Sequence, residues 1–324
     1  MGEKFTWGIM GGGFISSQFA KGIENTPDAL VGAVASASGN KYGIKAGKYY
    51  NSYEELVKDD AIEAIYVGTI HTMHFRNIAM ALENGKAVLC EKPITMNYKE
   101  LCCLEEKARE KNVLLMEAMW MRFIPLNCEL QEKLRKGEFG KVHYMQISFG
   151  EKADYTKKRL YQKALGGGAL MDVGVYGVNF AQWILGENAD EVHGWSRKNE
   201  DGIDLTTFVT LHYPNGCDVD LTVSIEKKLS NCVRIITDSG ELVIPYFWRP
   251  DTMFWVKKDR EAMKDYLKKT YISSIEGNGY QYEAEAFQKS YIHGEKSNSI
   301  MPVQASISIM KTMDEIREVC GIYY

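Results

Sequence analysis

The sequence predicts an α/β chain in two parts, a doubly wound parallel sheet followed by an α+β part built on a large, mainly antiparallel sheet. Three observations carry this: regular alternation of short apolar runs with amphipathic helical patterns up to about residue 120, a glycine cluster straight after the first apolar run, and strand-like runs joined by tight-turn signals thereafter. The boundaries are set at 1–120 and 121–324, a length comfortable for two domains.

The first run, Phe5 to Met10, meets three glycines, and Ile15, Phe19 and Ile23 then recur at four-residue steps on one helix face. A second run covers Leu30 to Ala35. Ser52 with Glu55, and Asn97 with Glu100, read as capping boxes that open helices. Strands at Ala64 to Val67, Ala87 to Cys90 and Val113 to Met116 complete the alternation, with a helix from His74 to Asn84 stopped by Gly85. Strand-helix-strand repeats imply parallel pairing, and ligands of such sheets bind at the carboxyl ends of the strands.

The loop after the first strand reads Gly11-x-Gly13-x-x-Ser16. Gly11 permits a tight turn. Gly13 lets the backbone, and the first helical residues Phe14 and Ile15, approach a pyrophosphate on the helix N-terminus. Ser16 replaces the glycine of close helix-strand packing. In this context the motif points to a Rossmann dinucleotide site, whereas alone it would be only a flexible turn. The second strand ends in Val34-Ala35-Ser36-Ala37-Ser38 with no acid to take ribose hydroxyls. Ser36 and Ser38 can donate to a 2'-phosphate and Lys41 adds charge, so NADP is favoured over NAD; the alternative is a neutral loop that accepts both.

Composition excludes several classes. With 39 basic and 43 acidic side chains the net charge is −4, with no basic run that would mark a nucleic-acid partner. No uninterrupted apolar stretch is long enough for a membrane span, and the start lacks the order of a secretory signal. The seven cysteines show no metal-ligand spacing, so no metal is expected, and reduced thiols in a cytoplasmic protein are the simpler reading.

At Glu91-Lys92-Pro93, closing a strand, the sequence resembles the glucose-fructose oxidoreductase/inositol dehydrogenase (Gfo/Idh/MocA) family. Glu117-Ala118-Met119-Trp120-Met121-Arg122-Phe123 and Gly166-Gly167-Gly168-Ala169-Leu170-Met171-Asp172-Val173-Gly174-Val175-Tyr176 follow in that family's order, as does the closing stretch Tyr282 to Gly321. Tyr176 and the segment Glu117 to Arg122 look most similar to its dimeric dihydrodiol dehydrogenases and bacterial sugar dehydrogenases.

The resemblance implies hydride transfer between NADP(H) and a hydroxyl-bearing carbon of a sugar, polyol or dihydrodiol, with Lys92 and Tyr176 as the catalytic pair. Lys92 would stabilise developing charge on the reacting oxygen, and Tyr176 would exchange its proton. Asp172, four residues before Tyr176, would orient Lys92 or a substrate hydroxyl; its alternative is a helix cap. Glu91, Lys92, Thr69, His71 and His74 are expected cofactor contacts, and Trp120 and Arg122 line the pocket unless Trp120 is packing. A cofactor-retaining glycosidase and a non-catalytic cofactor sensor are the other activities known on this scaffold. Strands are expected at Val142 to Phe149, Thr206 to Tyr213, Asp218 to Ile225, Val233 to Thr237 and Glu241 to Ile244. The resemblance implies that a second subunit covers the open face of their sheet, as a homodimer.

Overall fold

A computed structural model describes residues 4–154, 156, 158–259 and 264–324. It separates into two compact units, residues 1–123 with 276–307, and residues 124–275 with 308–324.

The first unit holds a parallel sheet. Its strands are β1 (Phe5–Met10), β2 (Ala29–Ala35), β3 (Lys48–Tyr50), β4 (Ala64–Val67), β5 (Ala87–Glu91) and β6 (Leu115–Ala118), in the spatial order β3-β2-β1-β4-β5-β6. Order reverses at β1, between β2 and β4, which is the switch point where such sheets bind ligands. Four helices connect these strands: α1 (Phe14–Ile23), α2 (Tyr53–Val57), α3 (His71–Glu83) and α4 (Tyr98–Lys111). Both N-cap side chains engage as expected, though the reciprocal carboxylate bond is seen only at the second helix and there to the residue before the cap. The Glu55 N–H donates to Ser52 Oγ at 3.1 Å, and the Glu100 N–H to Asn97 Oδ1 at 3.0 Å, while Glu100 Oε2 accepts from the Met96 N–H at 3.1 Å. A single 3₁₀ turn, Trp120–Phe123, ends the first pass through this unit.

The second unit contains α5 (Pro125–Arg135), β7 (Val142–Gly150), α6 (Lys158–Tyr161), a π-helical turn at Leu170–Gly174 that runs into α7 (Val175–Leu185), and strands β8 (Glu191–Lys198), β9 (Asp204–His212), β10 (Asp218–Ser224), β11 (Cys232–Thr237), β12 (Gly240–Pro245), β13 (Thr252–Asp259) and β14 (Lys264–Ile272). The eight strands run in the order β14-β13-β12-β11-β7-β10-β9-β8, all antiparallel except β10 with β7. Met145, Ile147, Val219, Leu221 and Val233 lie on the buried face, whereas Gln146, Trp195 and Arg234 lie on the other, exposed face. Helix α7 packs so closely on the buried face that a Cβ at Gly177 would lie 2.4 Å from Leu221 Cδ1.

The chain then returns to the first unit with α8 (Tyr280–Ile292), while α9 (Val303–Cys320) begins in the first unit and continues in the second. Helix α8 packs on α1 and β1, with Phe287 5.0 Å from the Trp7 ring and Tyr291 5.2 Å from Phe5. Gly22 admits this contact, since a Cβ there would lie 2.7 Å from Tyr280 Cβ. The expected strands in the second unit are present within a residue or two. β8, β13 and β14 add to them there, as the three-residue β3 does in the first unit.

Candidate active site

Because all six strands of the first unit run parallel, their carboxyl ends bring Gly11, Ser36, Gly68, Thr69, Lys92 and Met119 to one edge. Crossing hydrogen bonds fix that edge: Gly11 N–H to Ala35 O at 2.8 Å and Gly68 N–H to Met10 O at 2.9 Å. Gly11 has φ +107°, a conformation that side chains resist, and a Cβ there would also meet Gly68 O at 2.8 Å. A Cβ on Gly12 would lie 2.5 Å from Gly39 O.

Gly13 is different. It caps α1 in extended backbone (φ −84°, ψ −179°), and a Cβ there would meet nothing within 4 Å. Neither packing nor backbone geometry requires this glycine, so the open space in front of it is what glycine preserves. That space lies at the N-terminus of α1, where the first N–H groups have no intrahelical acceptor and attract a diphosphate. The residues present therefore fit a dinucleotide, whose diphosphate Gly13, Phe14 and Ile15 would cradle. Phe14 is 60% exposed and sets its ring edge-on to Tyr42 at 5.9 Å.

Ser16, in the third glycine position, is fully buried, and its Oγ donates to Gly68 O at 3.4 Å. A Cβ on Gly68 would lie 2.3 Å from that Oγ. The volume added at Ser16 is thus matched by a glycine at the end of β4, a partner that reading the motif alone does not find. Ser36 is buried, its Oγ donating to Gly39 O at 3.0 Å, whereas Ser38 and Lys41 are exposed just beyond β2.

Around the end of β5 the groups are tightly held. Lys92 is half-buried, its N–H facing Glu91 Oε2 at 3.3 Å, and the Lys92–Pro93 peptide is cis. Glu91 accepts from the buried Tyr66 hydroxyl, and burial raises its pKa. His74 is fully buried, and its two ring nitrogens face Pro93 O at 2.9 Å and Thr69 O at 3.0 Å. Thr69 Oγ1 also accepts from Asn77 Nδ2 at 3.0 Å, and His71 is buried with its ring 5.8 Å from His74. Trp120 stacks on Tyr280 at 4.8 Å.

Arg122 is 4% exposed and donates to Ile300 O at 3.1 Å; burial lowers its pKa to about 9 against the opposing pull of Glu117. Glu117, itself raised by burial, accepts from the Ile94 N–H at 3.1 Å and from Ser306 Oγ at 2.7 Å. Glu283 was not anticipated. Burial raises its pKa well above the carboxylate range, Glu91 adds to the effect, and neither oxygen has a hydrogen-bond partner.

Asp172 and Tyr176 belong to the second unit, in the π turn and the first turn of α7. Asp172 accepts from Arg159 Nη2 at 3.0 Å, a partner no sequence signal announced. Tyr176 is 8% exposed, its ring 5.8 Å from Phe149, which stacks on Trp248 at 3.8 Å. Among the described residues Glu191, His193 and His212 bring metal-type ligand atoms within 4.8 Å of one another on the exposed sheet face. They are engaged there in His193–Glu191 and His212–Asp218 pairs at 2.7 and 2.6 Å.

A parallel sheet with its switch point at a glycine loop, open space before Gly13 and a polar edge at Thr69 and Lys92 is the arrangement of a dinucleotide-binding fold. The chain belongs to the Gfo/Idh/MocA family. Residues 5–119 match the oxidoreductase family's NAD-binding Rossmann fold, and residues 128–243 match the GFO/IDH/MocA C-terminal domain. It is accordingly a nicotinamide-dependent oxidoreductase. The chain is 37% identical over 328 residues to trans-1,2-dihydrobenzene-1,2-diol dehydrogenase of Xenopus laevis, covering 98% of each sequence. Its fold is that of KijD10, a 3-ketoreductase from Actinomadura kijaniata solved with NADP and TDP-benzene (TM-score 0.86, 23% identity, 98% of each chain). It is also that of levoglucosan dehydrogenase solved with NADH and levoglucosan (TM-score 0.86, 18% identity, 98% of this chain and 97% of that one). No helix among the described residues is long and apolar enough to cross a membrane.

Proposed function

We propose that this protein transfers hydride between NADP(H) and a carbon bearing a hydroxyl on a vicinal diol or sugar, with Lys92 and Tyr176 handling the oxygen and its proton. The observation that carries the reading is Lys92 at the carboxyl end of a parallel strand, on the edge that also holds the open space before Gly13. The full-length likeness to a dihydrodiol dehydrogenase supports the substrate class. The bound nicotinamide supplies a hydride acceptor or donor. Lys92 stabilises negative charge on the substrate oxygen as hydride departs or arrives. Tyr176 takes or returns the hydroxyl proton. Asp172, held by Arg159, orients the donors around the substrate.

NADP is the proposed cofactor because residues 35–41 contain no carboxylate to repel a 2'-phosphate, while Ser38 and Lys41 are exposed after β2. A homodimer formed through the open face of the large sheet is proposed on the Trp195–Phe208 stack there, with Trp195 58% exposed. A cytoplasmic location is proposed on the seven cysteines, which lie mostly inside apolar runs as reduced thiols do.

The test pairs Tyr176→Phe with Lys92→Met and follows reduced-cofactor absorbance with a panel of dihydrodiols and sugars. General acid-base groups contribute about 10²- to 10⁴-fold, so each variant should lose at least about 100-fold in kcat while still binding NADP. Near-normal turnover in both refutes the assignment.

A further inference from the structure

The proposed Tyr176 sits just after a glycine run whose backbone is gripped by residues far away in sequence. Gly168 has φ +114°, and a Cβ there would lie 2.1 Å from Asp204 Oδ1 and 3.0 Å from the Tyr324 hydroxyl. Asp204 opens β9 fully buried. Its Oδ2 accepts from the Leu170 N–H at 2.7 Å and from Thr207 Oγ1 at 2.9 Å, while Oδ1 has no partner. Burial pushes its pKa up to about 6, against the downward pull of those two bonds. The Tyr324 hydroxyl donates to Gly167 O at 2.6 Å, and the Arg317 guanidinium lies 5.0 Å over its ring. Gly167 is closed on its other side, where a Cβ would lie 2.5 Å from Leu160 O. The Asp172 N–H then bonds Gly168 O at 3.2 Å, joining the run to the helix that carries Tyr176.

A carboxylate bonded to the Leu170 N–H sits where a helix N-terminus favours negative charge. Tyr324 holds the Gly167 carbonyl, so the run is fixed at Gly167 and again at Leu170 by two side chains. Both belong to the same unit as Tyr176. Thr207 and Arg317 in turn hold Asp204 and Tyr324.

We propose that Asp204 and Tyr324 are positioning residues that hold Gly166–Gly168 and the π turn, and so set the direction of Tyr176. This rests on the assignment of Tyr176 above. Tyr324→Phe keeps the ring against Arg317 and removes only the donor to Gly167. Asp204→Asn keeps the size and one acceptor oxygen and removes the charge. Tyr323→Phe, at a neighbouring exposed position, serves as control.

Two measurements are made on each full-length variant. Backbone hydrogen exchange should quicken severalfold in peptides covering 166–176 and stay unchanged in β7 and β10. With a turned-over diol or sugar, kcat should fall about tenfold or more in Tyr324→Phe, with KM for the cofactor unchanged. Unchanged exchange in 166–176 overturns the proposal. So does a general quickening across the unit with a lowered melting temperature and unaltered kcat. If Tyr176→Phe retains full turnover, the assignment of Tyr176 fails, and the exchange measurement still decides whether these two residues hold the segment.

Discussion

Gly13→Ala separates folding from cofactor binding, because the structure assigns it opposite consequences for the two. Its φ and ψ are ordinary for alanine, and the new methyl meets nothing within 4 Å. Restricting the unfolded chain by a Gly-to-Ala change stabilises by about 0.4–1 kcal/mol. Alanine is a poorer N-cap than glycine, by roughly 0.5 kcal/mol on the usual ranking. The two nearly cancel, so stability should change by less than about 0.5 kcal/mol. Binding should suffer, because the methyl occupies the space through which a diphosphate reaches the α1 amides. Losing one charge-assisted hydrogen bond costs about 1.5–3 kcal/mol, or roughly 10- to 150-fold in Kd. Calorimetric melting without ligand gives the first quantity, and titration with NADP gives the second. Gly12→Ala is the contrast, since its Cβ would strike Gly39 O at 2.5 Å and the fold itself should weaken. Wild-type NADP affinity in Gly13→Ala refutes the placement of the phosphates. A loss of more than about 2 kcal/mol in stability refutes the claim that this glycine is not structural.

Two further outcomes follow from buried contacts in the first unit. Gly68→Ala places a methyl 2.3 Å from Ser16 Oγ and should destabilise by about 1–3 kcal/mol, the range for overpacking. Ser16→Gly in the same chain should recover part of that loss, the remainder coming from Tyr66 Cε1 at 2.8 Å; purely additive effects in chemical denaturation refute the coupling. Glu283 keeps its proton in the folded state well above the pH at which the unfolded chain gives it up. Stability contributed by that protonated carboxyl is therefore full below the unfolded pKa, and falls by up to about 1.4 kcal/mol per pH unit as pH rises toward the folded one. Glu283→Gln removes the ionisable group, so the variant should melt higher than wild type at pH 8 and match it near pH 4; a pH-independent difference contradicts this.

Much of the first unit was legible because its signals are local. The periodicity at Ile15, Phe19 and Ile23, the N-cap side chains of Ser52 and Asn97 and the glycine loop each act within a few residues, and each is present. In the second unit the strands flanking obvious turns were legible, such as β9 and β10 around Tyr213-Pro214-Asn215-Gly216. The edge strands β8 and β14, and β13 beside the latter, were not, since they mix charge with aromatics and take their identity from pairing with neighbours. The return of residues 276–307 to the first unit was hidden for a related reason. What places α8 there is the fit of Phe287 to Trp7 and of Tyr280 to Gly22, contacts between residues more than 250 positions apart.

The same distinction divides the candidate site. The residues proposed to do the chemistry, Lys92 and Tyr176, stand out in the sequence because their neighbours form ordered motifs. The groups that hold such residues do not, because support requires only a buried acceptor or a missing side chain at the right place in space. Ser16 makes the point most directly. Taken along the chain it is a blemish in a glycine motif, weakening the case for a bound dinucleotide. In the fold its extra atoms occupy room left by Gly68, 52 residues on, and its hydroxyl bonds that glycine's carbonyl. The close approach of α1 to the sheet is therefore a property of the pair, and a departure at one position is judged only against the residue that faces it.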